Sequence, residues 1–192
     1  MIYINDHLQD FDLDAALETM PQWRRQITLQ YKNDLLRCQS AAAFALLQTA
    51  LAEQYHITDP IRFITAQHGK PALEGHPDIH FNLSHCLEAA ICVVADQPVG
   101  VDIEHIRHPS NSMIAYVMTP DEQRQINHAD QPDFEFTRIW TSKEAALKHT
   151  GDGLQGNFRD ILSLPHPPIT TRVSPDRRYI YSICTNAKLP TP

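Results

Sequence analysis

Paired cysteines are missing from this chain of 192 residues: Cys38, Cys86, Cys92 and Cys184 stand far apart with no CxxC between them. That spacing argues against a disulfide framework and implies reduced, mostly buried thiols in a cytoplasmic protein. The start, Met1-Ile2-Tyr3-Ile4-Asn5-Asp6-His7, lacks the basic residues and apolar stretch of a signal peptide. No run reads as long enough to cross a membrane, the Ala89 to Ala95 stretch being strand-sized. Basic residues are in the minority, 16 Lys and Arg against 23 Asp and Glu, for a net charge of −7. This balance argues against broad binding to nucleic acid or to anionic membranes. Absent too are the G-x-S-x-G of a nucleophile elbow and the signatures of P-loop and Nudix enzymes. Of the 11 histidines, His76 and His80 form an i,i+4 pair, but Pro77 interrupts it and no cysteine pair accompanies it, so structural zinc is disfavoured.

What is present describes a folded α+β protein. Hydrophobic content of 42% and charged content of 20% are ordinary for a globular chain of one or two units. Helical patterns are expected over Asp12 to Met20, Gln22 to Tyr31 and Asp34 to Tyr55, the last rich in Ala and Leu. The period then switches to extended segments at Ile61 to Ala66, Ile79 to His85, Ala89 to Ala95 and Val99 to Glu104. The second part repeats this order. A helix is expected over Asn111 to Met118. Thr119-Pro120-Asp121-Glu122 reads as a capping box opening a helix to about Ala129. A further helix runs from Phe134 to Thr150, stopped by Gly151 and Gly153, and strands follow near Ile161 to Leu164, Thr170 to Val173 and Tyr179 to Cys184. From Lys188 onward the tail is expected to fray. We read two similar α+β halves, residues 1–98 and 99–192, with a ligand site in the cleft between them.

Two segments carry the chemistry. Gly100-Val101-Asp102-Ile103-Glu104 reads as a strand, so Asp102 and Glu104 project to one face while Val101 and Ile103 face a core. Trp140-Thr141-Ser142-Lys143-Glu144-Ala145-Ala146-Leu147-Lys148 reads as a helix with Trp140, Glu144 and Lys148 on one stripe. A surface ion pair is the plain reading of Glu144 and Lys148, and it suits the neighbouring Lys143 better than Lys148. Three carboxylates beside lysines suit a hard divalent cation on a polyphosphate. Phe81-Asn82-Leu83-Ser84-His85 alternates apolar and polar, which puts Asn82 and Ser84 on one face. Ser84 and His85 are phosphate donors if a phosphate lies there, and His85 alone would otherwise read as a satisfied core histidine.

Together with Gly69-Lys70-Pro71 and Gly151-Asp152-Gly153-Leu154, these segments resemble the 4′-phosphopantetheinyl transferase superfamily, in its larger, surfactin-synthetase-activating type. The motifs occur in the family's order, with 40 residues between Asp102 and Lys143. The resemblance implies an internal pseudo-dimer, hence a monomer, that moves phosphopantetheine from coenzyme A to a serine of an apo acyl or peptidyl carrier protein. It implies Mg²⁺ on Asp102, Glu104 and Glu144. It further implies a coenzyme pocket lined by Arg37, Lys70, Ser84, His85 and Lys148, with Glu144 and Lys148 acting in catalysis. Arg24 and Arg25 are open to the coenzyme, the carrier or neither. Two rival readings are a silent relative that binds coenzyme A or a carrier, and a metal-dependent pyrophosphate hydrolase.

Overall fold

The computed structural model describes residues 1–65, 69–151 and 158–189. Three helices follow the first strand and a 3₁₀ turn, Leu8–Asp10. Asp12 accepts the Ala15 amide to start α1 (Leu13–Thr19), and α2 (Gln22–Leu29) follows Pro21. Asn33 accepts the Leu36 amide to start α3 (Asp34–Tyr55), which ends on His56 in the left-handed region at φ 56°. Ala41, Phe44, Leu47, Ala50 and Leu51 on α3 are wholly buried and form the first core with Phe81, Cys92 and Val94. By length and composition α3 could cross a membrane, which corrects the expectation that no run could. In the fold half of its apolar stretch is covered by protein.

The first sheet has the order β1-β5-β4, all antiparallel: β1 (Ile2–Asn5), β4 (His80–His85) and β5 (Ala90–Ala95). A separate ribbon pairs β2 (Phe63–Thr65) with β3 (Pro71–Leu73). The second sheet has the order β6-β8-β7, again antiparallel: β6 (Val99–His105), β7 (Ile169–Val173) and β8 (Tyr179–Thr185). Between β6 and β7 lie α4 (Asn111–Val117), α5 (Pro120–His128), α6 (Pro132–Thr150) and a 3₁₀ turn, Phe158–Ser163. Each sheet thus pairs its first strand with its last, and its last with its penultimate.

Alternation along the strands joins the sheets. Cys92 and Val94 of β5 point into the core under α3, whereas Ile91, Val93 and Ala95 meet Val101 and Ile103 of β6 and Tyr181 and Ile183 of β8. Buried on both faces, β5 is apolar at every position. Where β4 and β6 meet, side chains complete the backbone bonding. The Val101 amide donates to Asn82 Oδ1 at 2.8 Å, and the Ile103 amide to Ser84 Oγ at 3.4 Å. The β6 donors that its partner β8 leaves over are satisfied by β4 side chains rather than by a ladder.

Helix α5 carries the expected capping box, Thr119 and Glu122 serving each other's amides, with Pro120 first in the helix. Gly151 caps α6 at φ 82°, while Gly153 lies outside the described residues. Three expectations need correction. The segment expected as a strand over Ile161 to Leu164 is instead the 3₁₀ turn, because Ile161 and Phe158 pack down onto Ala145, Ala146 and Leu147 of α6. Strands β1 and β3 were not apparent in the sequence pattern. Lys143 is no surface residue: its side chain is 0% exposed, and its ammonium meets Glu122 Oε2 at 2.7 Å, Val117 O at 3.0 Å and Arg159 O at 2.5 Å. It ties α4, α5 and the 3₁₀ turn to α6. Lys143→Ala should therefore lower unfolding free energy by about 3 kcal/mol or more, since removing one partner strands the other. A urea titration with an unchanged midpoint would show that the ammonium is not a structural tie.

Candidate active site

Side chains on β6 alternate, so Gly100, Asp102 and Glu104 face α6. Gly100 is required there by space: a Cβ would stand 2.1 Å from Ala145 O and 2.3 Å from His149 N. The missing side chain lets the last turns of α6 lie directly on β6. Lys148, in that last turn, reaches Asp102 Oδ1 at 2.6 Å. Ser84 Oγ, from the first sheet, donates to the same oxygen at 2.9 Å, and Lys148 Nζ also donates to Ser84 Oγ at 3.1 Å. Asp102, itself on the second sheet, is only 4% exposed, and its charge is held by groups from the first sheet and from α6. Its other oxygen, Oδ2, is buried with no hydrogen-bond partner. A buried acceptor left open is costly unless something else binds it.

Glu104 and Glu144 share this field. Burial first, and then the Asp102 charge, raise the Glu104 carboxyl to about 7, against the opposing pull of Arg107, the Trp140 indole and Lys148. The same two causes raise Glu144, opposed by Lys148. Asp102 thus raises both neighbouring carboxyls, a field that favours the arrival of a cation. Among the described residues no three His, Cys, Asp or Glu side chains are already gathered as a metal cage. Lys148 occupies the counter-ion position on Oδ1, and the Asp102 charge acts on both glutamates. The donor set still suits a hard cation that keeps water and phosphate ligands, because such an ion needs only a few protein oxygens.

The cationic residues divide. His85, at the end of β4, has its pKa lowered by burial and then by Lys148 and Arg24, with Asp102 opposing. Arg24 of α2 donates Nη2 to Ser40 O at 3.0 Å and to Ser40 Oγ at 2.6 Å, and lies 5.3 Å from the Phe44 ring centroid. Its Nε is buried and unpartnered. Lys148 and Arg24 therefore form a positive flank beside the carboxylates, and His85, whose lowered pKa favours the neutral ring, adds a hydrogen-bonding group to it, a set suited to an anion. The sequence offered only a basic residue in a short helix. Its pairing with Ser40 across a turn of chain is what directs Arg24 inward. Arg37 instead holds Asp34 at 2.8 Å and the Tyr31 carbonyl at 3.1 Å. Lys70 donates to three backbone carbonyls, of Val99, Lys148 and His149. Burial lowers its pKa to about 8, while those three acceptors favour the charged form.

The model of the 4′-phosphopantetheinyl transferase superfamily matches residues 98–187, the stretch that holds Asp102, Glu104, Glu144 and Lys148. A 4′-phosphopantetheinyl transferase of Bacillus subtilis is 33% identical over 135 residues, 68% of this chain and 56% of that protein. Over these residues the chain is similar to the 4′-phosphopantetheinyl transferase superfamily. A further transferase of Bacillus subtilis, ffp, is 26% identical over 180 residues, covering 92% of this chain and 77% of that one. The transferase psf-1 of Bacillus pumilus is 29% identical over 157 residues, 73% of this chain and 67% of its own. The chain spans little more than half the length of the first of these relatives.

The carboxylate cluster has a pH signature that needs no ligand. The Glu104 carboxyl keeps its proton to about pH 7 when folded, but only to its ordinary 4.5 when unfolded. Between those values the folded chain holds the extra proton, so its stability falls as pH rises through the window. In chelating buffer, Glu104→Gln should flatten that fall and should melt no lower than the parent at pH 8. Parallel melting curves from pH 4.5 to 8 would show that Glu104 is not strained by its neighbours.

Proposed function

We propose that this protein transfers 4′-phosphopantetheine from coenzyme A to a serine of an apo acyl or peptidyl carrier protein, releasing adenosine 3′,5′-bisphosphate. One observation carries the reading: a buried Asp102 with one oxygen bound by Lys148 and Ser84 and the other open, flanked by two carboxyls whose pKa values that burial and charge have raised. That is a poor arrangement for stability alone and a useful one for binding a cation with a pyrophosphate. Asp102, Glu104 and Glu144 would hold Mg²⁺, which would supply charge neutralisation of the pyrophosphate.

The chain's own groups have distinct tasks in this reading. Lys148, Ser84, His85 and Arg24 bind and orient the phosphates, in a desolvated flank where each hydrogen bond counts for more than in water. The serine hydroxyl of the carrier attacks the phosphorus that bears the pantetheine arm. A bond from that oxygen to phosphorus forms, and the bond to the bisphosphate oxygen breaks. Glu144 accepts the serine proton; a carboxylate whose pKa is raised is the better base for it. Lys148 stabilises the charge that gathers on the leaving bisphosphate. Burial of the cluster at the meeting of both sheets keeps water from competing with the serine.

The two sheets support a wider reading of the architecture. Their equivalent strand orders, β1-β5-β4 and β6-β8-β7, fit an internal pseudo-dimer of residues 1–98 and 99–192 with the site at its seam. A pseudo-dimer of this kind would work as a cytoplasmic monomer. Intact mass spectrometry of apo carrier proteins, incubated with this protein, coenzyme A and Mg²⁺, tests the function. We expect a phosphopantetheine mass on at least one carrier, lost with EDTA and in Asp102→Ala. Glu144→Ala should abolish transfer as well, and near-normal rates there at saturating Mg²⁺ would remove Glu144 from both of its roles. Coenzyme A cleaved with no carrier modified would mean a hydrolase, and bound coenzyme A left intact would mean a binding protein.

A further inference from the structure

The last carbonyls of a helix lack amide partners and carry the negative end of its dipole. Helix α6 ends on Gly151, whose amide returns to the Leu147 carbonyl. The next two carbonyls are taken by a side chain from far upstream: Lys70 Nζ lies 2.7 Å from Lys148 O and 3.2 Å from His149 O. Its third donor goes to Val99 O, at 2.7 Å, where β6 begins. An ammonium has three donors, and here all are used.

The same contact is where Gly100 admits α6, with no room for a Cβ against Ala145 O and His149 N. An inserted ammonium and an absent side chain therefore hold one junction by separate means. Lys148 lies in that turn of α6 and Asp102 two residues along that strand, and their ion pair of 2.6 Å spans the junction. Lys148 also places its Nζ on Ser84, so the junction fixes all three members of the constellation.

We propose that Lys70 is a positioning residue for the transfer reaction: by tying Val99, Lys148 and His149 through their carbonyls, it sets where the Lys148 ammonium stands. This rests on the transferase reading above. It differs from a place in the coenzyme pocket, because a phosphate contact would have to break one of three short bonds to backbone. Lys70 acts through Lys148.

Lys70→Met keeps most of the side-chain stem and removes the ammonium. Its kcat should fall about ten- to hundred-fold, the cost of a displacement on the order of an ångström. The KM for coenzyme A should stay within about two-fold. Hydrogen exchange should quicken in peptides spanning residues 145–151 and remain unchanged in α3. In a Lys148→Met background the same substitution should cost little more, because both changes act on one group. A raised KM with kcat intact would overturn the proposal in favour of direct coenzyme contact, and so would unaltered exchange in 145–151. Should Lys70→Met not fold, Lys70→Gln keeps part of the hydrogen bonding and is read by the same criteria. Wild-type protein that modifies no carrier would overturn the transferase reading, while the exchange comparison would still decide whether Lys70 holds the turn.

Discussion

Burial of the Asp102 charge is the constraint on which the rest of this molecule turns. A carboxylate taken out of water is tolerable only with a close opposite charge and donors aimed at it. Lys148 and Ser84 meet that need, and each must come from a different element. Lys148 can reach only if α6 lies against β6, which requires the bare backbone of Gly100. Ser84 can reach only if the edge of the first sheet meets the edge of the second. One buried charge therefore demands the helix–strand contact and the sheet–sheet contact together.

The meeting of the sheets is itself unusual in what bonds it. β4 and β6 do not pair as strands. Asn82 and Ser84 offer side-chain oxygens to the Val101 and Ile103 amides, which would otherwise be unpaired donors at an edge. Such a seam is polar on the side of Asp102 and apolar on the side of Val101 and Ile103, where Ile91 and Val93 pack. The apolar side supplies adhesion and the polar side supplies chemistry. Because Asp102 Oδ2 remains open, the seam is complete as packing and incomplete as a charge arrangement. That imbalance is the physical basis for reading it as a site.

Local patterns in the chain were informative where backbone geometry alone decides the outcome. Asp34 to Tyr55 was expected as a helix and is one, because good helix formers continue unbroken to a left-handed His56. The Thr119–Glu122 capping box was legible for the same reason: both partners lie within one turn. Failures occurred where distant packing overrode local preference. Ile161 belongs to a 3₁₀ turn, since α6 draws Phe158 and Ile161 onto itself. Lys143 was read as exposed because a lysine beside a glutamate usually is. Its true partners are Glu122 and two carbonyls that fold back over α6.

The sequence by itself determined that Asp102 and Glu104 share a face, that Glu144 and Lys148 share a stripe, and that Asn82 and Ser84 point together. These follow from the fixed periods of strand and helix, which no packing can alter without breaking the element. Tertiary structure alone decided where each ammonium went. Lys148 found Asp102 across 46 residues, and Lys70 found the Lys148 carbonyl across 78. Lysine has a long, flexible stem and three identical donors, so nothing local distinguishes one bound for a carboxylate, a carbonyl or water. That choice is made by which acceptors the folded chain leaves buried and unpaired within its reach.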